Sequence, residues 1–476
     1  MNVLLYVIDC LRSDHVSSYG YSRETTPNID SVAADGIRYT ECSTPATWTR
    51  PVSVSLLTGS YPSTHGVRHR DNIFPSNLKR LPQYLSESGF ETVGVSTMGN
   101  VSSALGYNIG FDSYHDIYKD EEIIQKRRRT STDREKLLHE EQEEIALPRA
   151  EDITDQLVPI IQQADHDLFS FAWSIDPHMP LDPPETHRDF LDEEYSGPID
   201  GSFESLPNEF SSADIKRLQD LYDCEIKYTD EQFGNIIDEL KSNGEYEESL
   251  IIVLGDHGEA YYEHDHIFHG SCPHDEVLSV PLIIKPPKEF TQRGMEVTEP
   301  VSLIDVCPTI LDIVGIDPQV DHMQGQKIPP FGNTETDRCV FAETQTWDFS
   351  PSYQAVRDNR WKYIEINRPP FFDVLRKMYA HRKELSGKKY ILKVLKDSLF
   401  DEIYSEPDKL LYDLQNDPQE QENLIEARPE IGEKFESILS DWVDECYRLN
   451  QKIEDSTDDE IDSGTMEQLK QLGYAD

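Results

Sequence analysis

Five short stretches carry side chains suited to hydrolytic chemistry. "VLLYVID" ends an aliphatic run on Asp9, and "LIIVLGDHGEA" ends another on Asp256, His257, Gly258 and Glu259. In an open α/β sheet, ligands bind beyond the carboxyl ends of the strands. A carboxylate from one strand end and an Asp-His pair from another can converge there on one divalent cation. Alone, Asp9 reads as a turn or N-cap residue, and so does Asp256-His257. Two such strand ends in one chain favour a metal. "SIDPHMPLDPP" follows a third apolar run and sets His178 in a proline-rich loop, where an imidazole can serve as general acid. A buried, hydrogen-bonded histidine is the plainer alternative. "EHDHIFHG" offers His264, His266 and His269 within six residues, and one reaching the site would suffice. "PATWTRPVSVSLLTG" has the outline of a catalytic turn: a polar loop, Pro51, and a short helix closing on Thr58-Gly59. It raises the question of which hydroxyl is the nucleophile.

These residues need a scaffold, and the chain alternates strand and helix patterns. "VLLYVI" (3–8), "ETVGVS" (91–96), "LFSFAWSI" (168–175), "SLIIVLGD" (249–256) and "PLIIKPP" (281–287) read as strands. Several are aliphatic without polar alternation, as buried parallel strands are. "LPQYLSESG" (81–89), "DITDQLVPIIQQA" (152–164) and a long stretch ending at Gly244 read as helices. The fold class is α/β, a mainly parallel sheet flanked by helices. After about 330 the texture changes. "RCVFAET", "SYQAVRDNRWKYIEI" and "KLLYDLQNDP" read as antiparallel strands with a turn at Asp358-Asn359, and a helix follows. This predicts a catalytic domain over 1–330 and an α+β subdomain over 331–476, with a loosely held acidic tail. The charged stretch 117–150 reads as a solvated insertion whose charges pair along a helix. Acid surrounds the basic cluster Lys126 to Arg129 on both sides, against a nucleic-acid patch.

Composition excludes some partners. Asp and Glu number 91 against 44 Lys and Arg, a formal net charge of −47 in 476 residues. Such a surface repels nucleic acid and anionic membranes. The acid is spread along the chain, as suits a salt-screened cytoplasm of halophilic type. Seven scattered cysteines with no CxxC pair support neither a disulfide framework nor a zinc knuckle. The opening apolar run is too short for a secretory segment, and no stretch approaches the ~20 apolar residues of a membrane span. Nothing here sets the oligomeric state.

In order along the chain, "NVLLYVIDCLRSDHVSSYGY", "TTPNIDSVAADGIRYTE", "LLTGSYPSTHGV", "DPHMPLDPP", "LGDHGEA", "VPLIIKPP", "VSLIDVCPTILDIVGI" and "LYDLQNDPQEQENL" resemble the landmarks of the sulfatase family, part of the alkaline phosphatase superfamily. The resemblance runs from Asn2 to about Asn423. It implies an alkaline-phosphatase-like α/β fold with a smaller C-terminal subdomain, and a metal-dependent ester hydrolase. Family members carry Cys or Ser in a Cys/Ser-x-Pro-x-Arg motif, nine residues before a closing Thr-Gly, and convert it to formylglycine. Here that register falls on Thr49, with Pro51 in place and Ser53 where the motif has Arg. A rival frame, Ser43 before Pro45, lies six residues too far from Thr58-Gly59.

By the same resemblance, Asp9, Thr49, Asp256 and His257 bind one divalent ion, and His178 protonates the leaving alcohol. His269 contacts the ester oxygens, and Asn72 and Arg68 are candidate substrate contacts. Cys10 stands where many members have a second metal-binding Asp, leaving Mg, Mn, Zn and Ca open; Asp14 is a candidate replacement. Threonine cannot become formylglycine, and superfamily members with Thr at this position resemble phosphodiesterases, phosphonate hydrolases and phosphoglycerol transferases. Three functions follow: a phosphoester or phosphonate hydrolase or transferase using Thr49; a sulfate-ester hydrolase; and a degenerate, non-catalytic anion binder. The substrate is a small-molecule, glycan or lipid-head-group anionic ester.

Overall fold

The first strand, β1 (Val3–Ile8), is buried on both faces. Its side chains alternate, with period two: Val3, Leu5 and Val7 enter one core, and Leu4, Tyr6 and Ile8 enter another. In the computed structural model the described residues are 1–130, 148–207, 209–270, 273–318, 320–332, 338–345, 351–370 and 407–453. The middle of the charged stretch (131–147) and the acidic tail from 454 lie outside them.

Around β1 lie β2 (Ile37–Tyr39), β3 (Glu91–Ser96), β4 (Ser113–Asp116), β5 (Leu168–Ser174), β6 (Leu250–Gly255), β7 (Leu282–Lys285) and β8 (Met295–Val297). They form one eight-stranded sheet in the order β8-β2-β7-β6-β1-β5-β3-β4. Val3 of β1 pairs in parallel with Phe169 of β5 and Leu250 of β6. The sheet is mainly parallel, as expected, with one exception. Strand β7, the "PLIIKPP" stretch, runs antiparallel to β6 and to β2. Residues 256–281 stay at the carboxyl end of β6, so the chain re-enters the sheet from that end and must run back. Strands β2, β4 and β8 have only three or four residues and no apolar run to announce them.

Helices cover both faces. Thr49–Thr58, Leu81–Glu87 and Val306–Ile313 pack on one core, and Pro27–Asp35, Ala150–Gln163 and Ser212–Ser242 on the other. Around Lys126, charge pairing reaches across to a second helix. The Lys126 amine meets Glu151, Asp152 and Asp155 at 3.1, 3.3 and 3.0 Å.

A second, antiparallel sheet runs β9 (Val340–Thr344), β10 (Ser352–Arg357), β11 (Trp361–Asn367), β12 (Lys409–Asp413). The expected turn closes with Asp358 N donating to Trp361 O at 3.0 Å. The helix Pro429–Asn450 packs Phe435, Leu439 and Trp442 on this sheet together with Tyr61 and Ile304. No helix among the described residues is long and apolar enough to cross a membrane.

The strand end of β6 is tight. A Cβ on Gly255 would sit 2.3 Å from the Leu11 carbonyl oxygen, part of the chain leaving β1. Gly255→Ala is expected to destabilise the fold by about 1–3 kcal/mol, the usual cost of overpacking. This should appear as a lower urea midpoint with an unchanged m-value. An unchanged midpoint would show that the two strand ends are free to separate.

Candidate active site

Strands β1, β5 and β6 run in parallel and stop at the same edge. Asp9 N donates to Ser174 O at 2.9 Å, which ties the end of β1 to β5. The side chains of Asp9, Thr49, Asp256 and His257 gather there, all fully buried. Thr49 opens the helix Thr49–Thr58. Its Oγ1 lies 3.3 Å from Asp9 Oδ2 and 3.3 Å from His257 Nε2. The indole N–H of Trp173, on β5, donates to Asp9 Oδ2 at 3.1 Å. Asp256 Oδ1 accepts from the backbone N–H groups of Cys10 and His257 at 3.0 and 2.7 Å.

The remaining atoms of Asp256 and His257 face one another. His257 Nδ1 lies 2.9 Å from the Gly258 carbonyl, an acceptor only, so Nδ1 carries the proton and Nε2 presents a lone pair. Nε2 is 3.3 Å from Asp256 Oδ2 and 3.8 Å from Asp9 Oδ1. Asp256 Oδ2 is buried and has no hydrogen-bond partner among the described residues. Burial, then the charge of Asp9, pushes the Asp256 carboxyl well above the usual carboxylate range. Burial, then His269, pulls His257 down to about 4. Ligand atoms of Asp9, Asp256 and His257 all lie within 4.8 Å of one another. Two buried carboxylates and an imidazole lone pair in such proximity suit a divalent cation, which would satisfy all three.

Beside this set stand two more imidazoles. The His178 and His269 ring centroids are 5.1 Å apart, and those of His257 and His269 are 4.5 Å apart. His178 Nδ1 is hydrogen-bonded to the Met179 carbonyl. His269 Nδ1 lies 3.0 Å from Glu259 Oε1. Burial, then His178, brings His269 down to about 3. Burial lifts the Glu259 carboxyl to about 7 against the opposing pull of His178. Cys10 Sγ is 3.2 Å from Asp9 Oδ1 and 3.5 Å from His269 Nδ1. Burial, then the charges of Glu259 and Asp9, pushes its thiol well up.

The loop before Thr49 is strapped to the second sheet. Glu343 N donates to Pro45 O at 3.0 Å, Ala46 forms an isolated parallel bridge with Glu343, and the Thr47 and Thr344 hydroxyls are hydrogen-bonded. Gly270 N donates to Thr47 O at 2.9 Å.

Other candidates from the sequence sit differently. Asn72 Oδ1 accepts from the N–H groups of Arg68 and His69 at 3.0 and 2.7 Å, closing their turn. The Arg68 guanidinium lies 3.4 Å from Ser63 Oγ and 3.9 Å from Glu343. Ser43 lies in a two-residue strand paired with Val301–Ser302. Asp14, the candidate replacement ligand, pairs instead with Arg12, which holds both its oxygens at 2.8 Å. Ser53 turns its hydroxyl to the Arg50 carbonyl and to Tyr107. Trp48 and Trp173 are buried. Arg50 is buried, with one guanidinium nitrogen 2.9 Å from Asn100 Oδ1 and another 3.1 Å from Asn72 O. Two residues near the site were given no role in the sequence reading: Glu259, beside His269, and Arg70, whose charge acts on His269. Glu259 directly follows the Asp-His-Gly run, and that adjacency was its only signal.

A sequence model described as Sulfatase matches residues 1–316. The chain belongs to the sulfatase family. Arylsulfatase K of Bos taurus is 26% identical over 274 residues, covering 52% of this chain and 48% of the relative. The chain thus spans about half the length of that relative. Two solved structures resemble the fold equally, each with a TM-score of 0.68. One is BT1596, a 2-O GAG sulfatase, 17% identical, covering 98% of this chain and 95% of its own. The other is the phosphonate monoester hydrolase of Agrobacterium radiobacter, 19% identical, covering 95% and 96%. The alkaline-phosphatase-like architecture expected from the sequence is the one observed. Within the sulfatase family, this chain presents Thr49 at the edge where its carboxylates and imidazoles converge.

His264, another member of the histidine cluster, meets an acceptor on each ring nitrogen. His264 Nδ1 lies 2.8 Å from Glu276 Oε1 and its Nε2 3.3 Å from the Glu420 carbonyl. Both partners are acceptors, so the ring is held as an imidazolium joining the chain after β6 to Glu420. Burial lowers its pKa, but the hydrogen bond and charge of Glu276 overcome this and leave it at about 8. Because the folded pKa is raised, the stabilisation is complete below about 6.5 and is lost as pH rises through about 8. His264→Gln is therefore expected to cost about 1 kcal/mol at the acid end, discounted for solvent screening, and little at the alkaline end. Urea midpoints of both proteins across that range would test it; a pH-independent difference would refute the ion pair.

Proposed function

We propose that this chain is a metal-dependent hydrolase of anionic esters, with Thr49 as nucleophile, that prefers phosphate or phosphonate esters. The position of Thr49 carries the reading: its hydroxyl lies 3.3 Å from a carboxylate oxygen and 3.3 Å from a lone-pair nitrogen, within a cluster short of positive charge. Asp9, Asp256, His257 and Thr49 would hold one divalent cation, which supplies Lewis acidity to the Thr49 hydroxyl and to a non-bridging ester oxygen.

The protein side of the chemistry follows from the contacts. Asp9, steadied by the Trp173 indole N–H, takes the Thr49 proton through the 3.3 Å contact. Thr49 Oγ1 forms the bond to phosphorus as the bond to the leaving alcohol breaks. His178 supplies the proton to the departing alkoxide. The Met179 carbonyl holds the Nδ1 proton of His178, so Nε2 is the nitrogen that gives its proton away. Water then attacks phosphorus as its proton passes to His178 Nε2, the bond from phosphorus to Thr49 Oγ1 breaks, and Thr49 regains the proton held by Asp9 as the free alcohol. Glu259 orients His269, and His269 faces the ester oxygens.

The choice of phosphorus rests on the side chain itself. A formylglycine hydrate can expel sulfate through its second hydroxyl. A sulfated threonine has no such exit, whereas a phosphothreonine yields to in-line water. Membership of the sulfatase family supports the second reading, a sulfate ester on a glycan or small molecule. The concentration of buried titratable groups argues against a non-catalytic anion binder. A net charge of −47 supports assay in concentrated potassium chloride and a salt-rich cytoplasm as its setting.

The test is a paired assay of nitrophenyl sulfate, phosphate monoester, phosphate diester and phosphonate, with magnesium, manganese, calcium or zinc in turn. Phosphoryl turnover should fall by roughly 10³-fold or more in Thr49→Ala, and by about 10²–10⁴-fold in His178→Ala with a good leaving group restoring part of it. Sulfate turnover that survives intact in Thr49→Ala would overturn the mechanism.

A further inference from the structure

The residue after Asp9 is a cysteine in an unusual conformation. Cys10 has φ 59°, in the left-handed region that favours glycine. A non-glycine residue there carries strain on the order of 1 kcal/mol. Two contacts hold it: its N–H donates to Asp256 Oδ1 at 3.0 Å, and its carbonyl accepts from the Tyr222 hydroxyl at 2.6 Å. This turn puts the sulfur inside the charged cluster and not in an apolar pocket. Sγ is 3.2 Å from Asp9 Oδ1 and 3.5 Å from His269 Nδ1. A buried structural cysteine usually packs as a small hydrophobe, which this one does not.

Two further ligand groups overlap the first. Ligand atoms of Cys10, His257 and His269 lie within 4.8 Å of one another, and so do those of Asp9, Cys10 and His178. Asp9 Oδ1 stands between Cys10 Sγ, at 3.2 Å, and His257 Nε2, at 3.8 Å. Independently, Asp256 Oδ2 is fully buried and accepts no hydrogen bond among the described residues. The cluster therefore offers sulfur and imidazole nitrogen beside carboxylate oxygen. Hard ions such as calcium and magnesium take oxygen donors. Thiolate and imidazole together suit zinc.

We infer that Cys10 is a cation ligand in this chain, and that its thiolate makes the centre selective for a zinc-class ion over magnesium and calcium. The inference rests on the reading of Asp9, Asp256 and His257 as cation donors. On binding, the metal–sulfur bond forms as the S–H proton passes to solvent, with no change of oxidation state.

Cobalt(II) alone, added to the metal-stripped full-length protein, tests this. The wild type should bind it with a near-ultraviolet thiolate-to-cobalt charge-transfer band. Cys10→Ser should keep the visible ligand-field bands and lose the near-ultraviolet one. Its preference for zinc over magnesium, measured by competition, should fall by roughly 10- to 100-fold or more, at least the effect of outer-shell changes. Cys10→Asp should move the preference toward magnesium and calcium. Saturable cobalt binding to the wild type without the near-ultraviolet band would overturn the role of Cys10 and leave the carboxylate site standing. Binding unaltered by Asp256→Asn would overturn the carboxylate site and this inference with it. The wild-type spectrum decides the matter even if Cys10→Ser does not fold.

Discussion

Like charges brought together in a dry place set the terms for the rest of this molecule. Asp9 and Asp256 are both fully exposed to each other and fully hidden from water. A carboxylate loses several kcal/mol of hydration on such a transfer unless a partner replaces it. The fold supplies part of the replacement: two backbone N–H groups on one oxygen of Asp256, and an indole N–H, the Thr49 hydroxyl and the Cys10 thiol on Asp9. The remaining deficit is what a cation would meet. It also explains why the acids sit at the ends of parallel strands, where the backbone is rigid enough to hold them in place.

The same constraint shapes the imidazoles. A histidine among buried carboxylates would ordinarily become protonated, yet burial and mutual repulsion bring His257 to about 4 and His269 to about 3. Three rings share one space, and two adjacent cations there would repel. His264 has the opposite fate twelve residues from Glu276, because it meets an acceptor on each nitrogen. Loop geometry, and not residue type, separates a neutral ring from a charged one in this stretch.

Much of this was legible in the sequence. The long strands and helices announced themselves because they are buried on both faces or carry one long apolar stripe. Asp9, Asp256 and His257 were readable because a polar residue abruptly ends an aliphatic run. The short strands β2, β4 and β8 were not, since three or four residues carry no period. The reversal of β7 was hidden too: its aliphatic pattern is the same in either direction, and only the path of residues 256–281 decides it. For Asn72 and Arg68, candidate substrate contacts by sequence, the structure adds that Asn72 Oδ1 accepts from the backbone N–H of Arg68. Whether an amide oxygen faces a ligand or closes its own turn is a matter of backbone direction, which residue type does not encode.

The bridge between Ala46 and Glu343 has a consequence for how the protein comes apart. The five residues before the helix of Thr49 gain backbone hydrogen bonds from β9, a strand almost three hundred positions later in the chain. In hydrogen-exchange terms, an opening of β9 would remove one tie of this loop and leave another, the Gly270 N–H on Thr47 O. The loop that leads to Thr49 is thus held from two directions, by the second sheet and by the chain that follows Asp256 and His257.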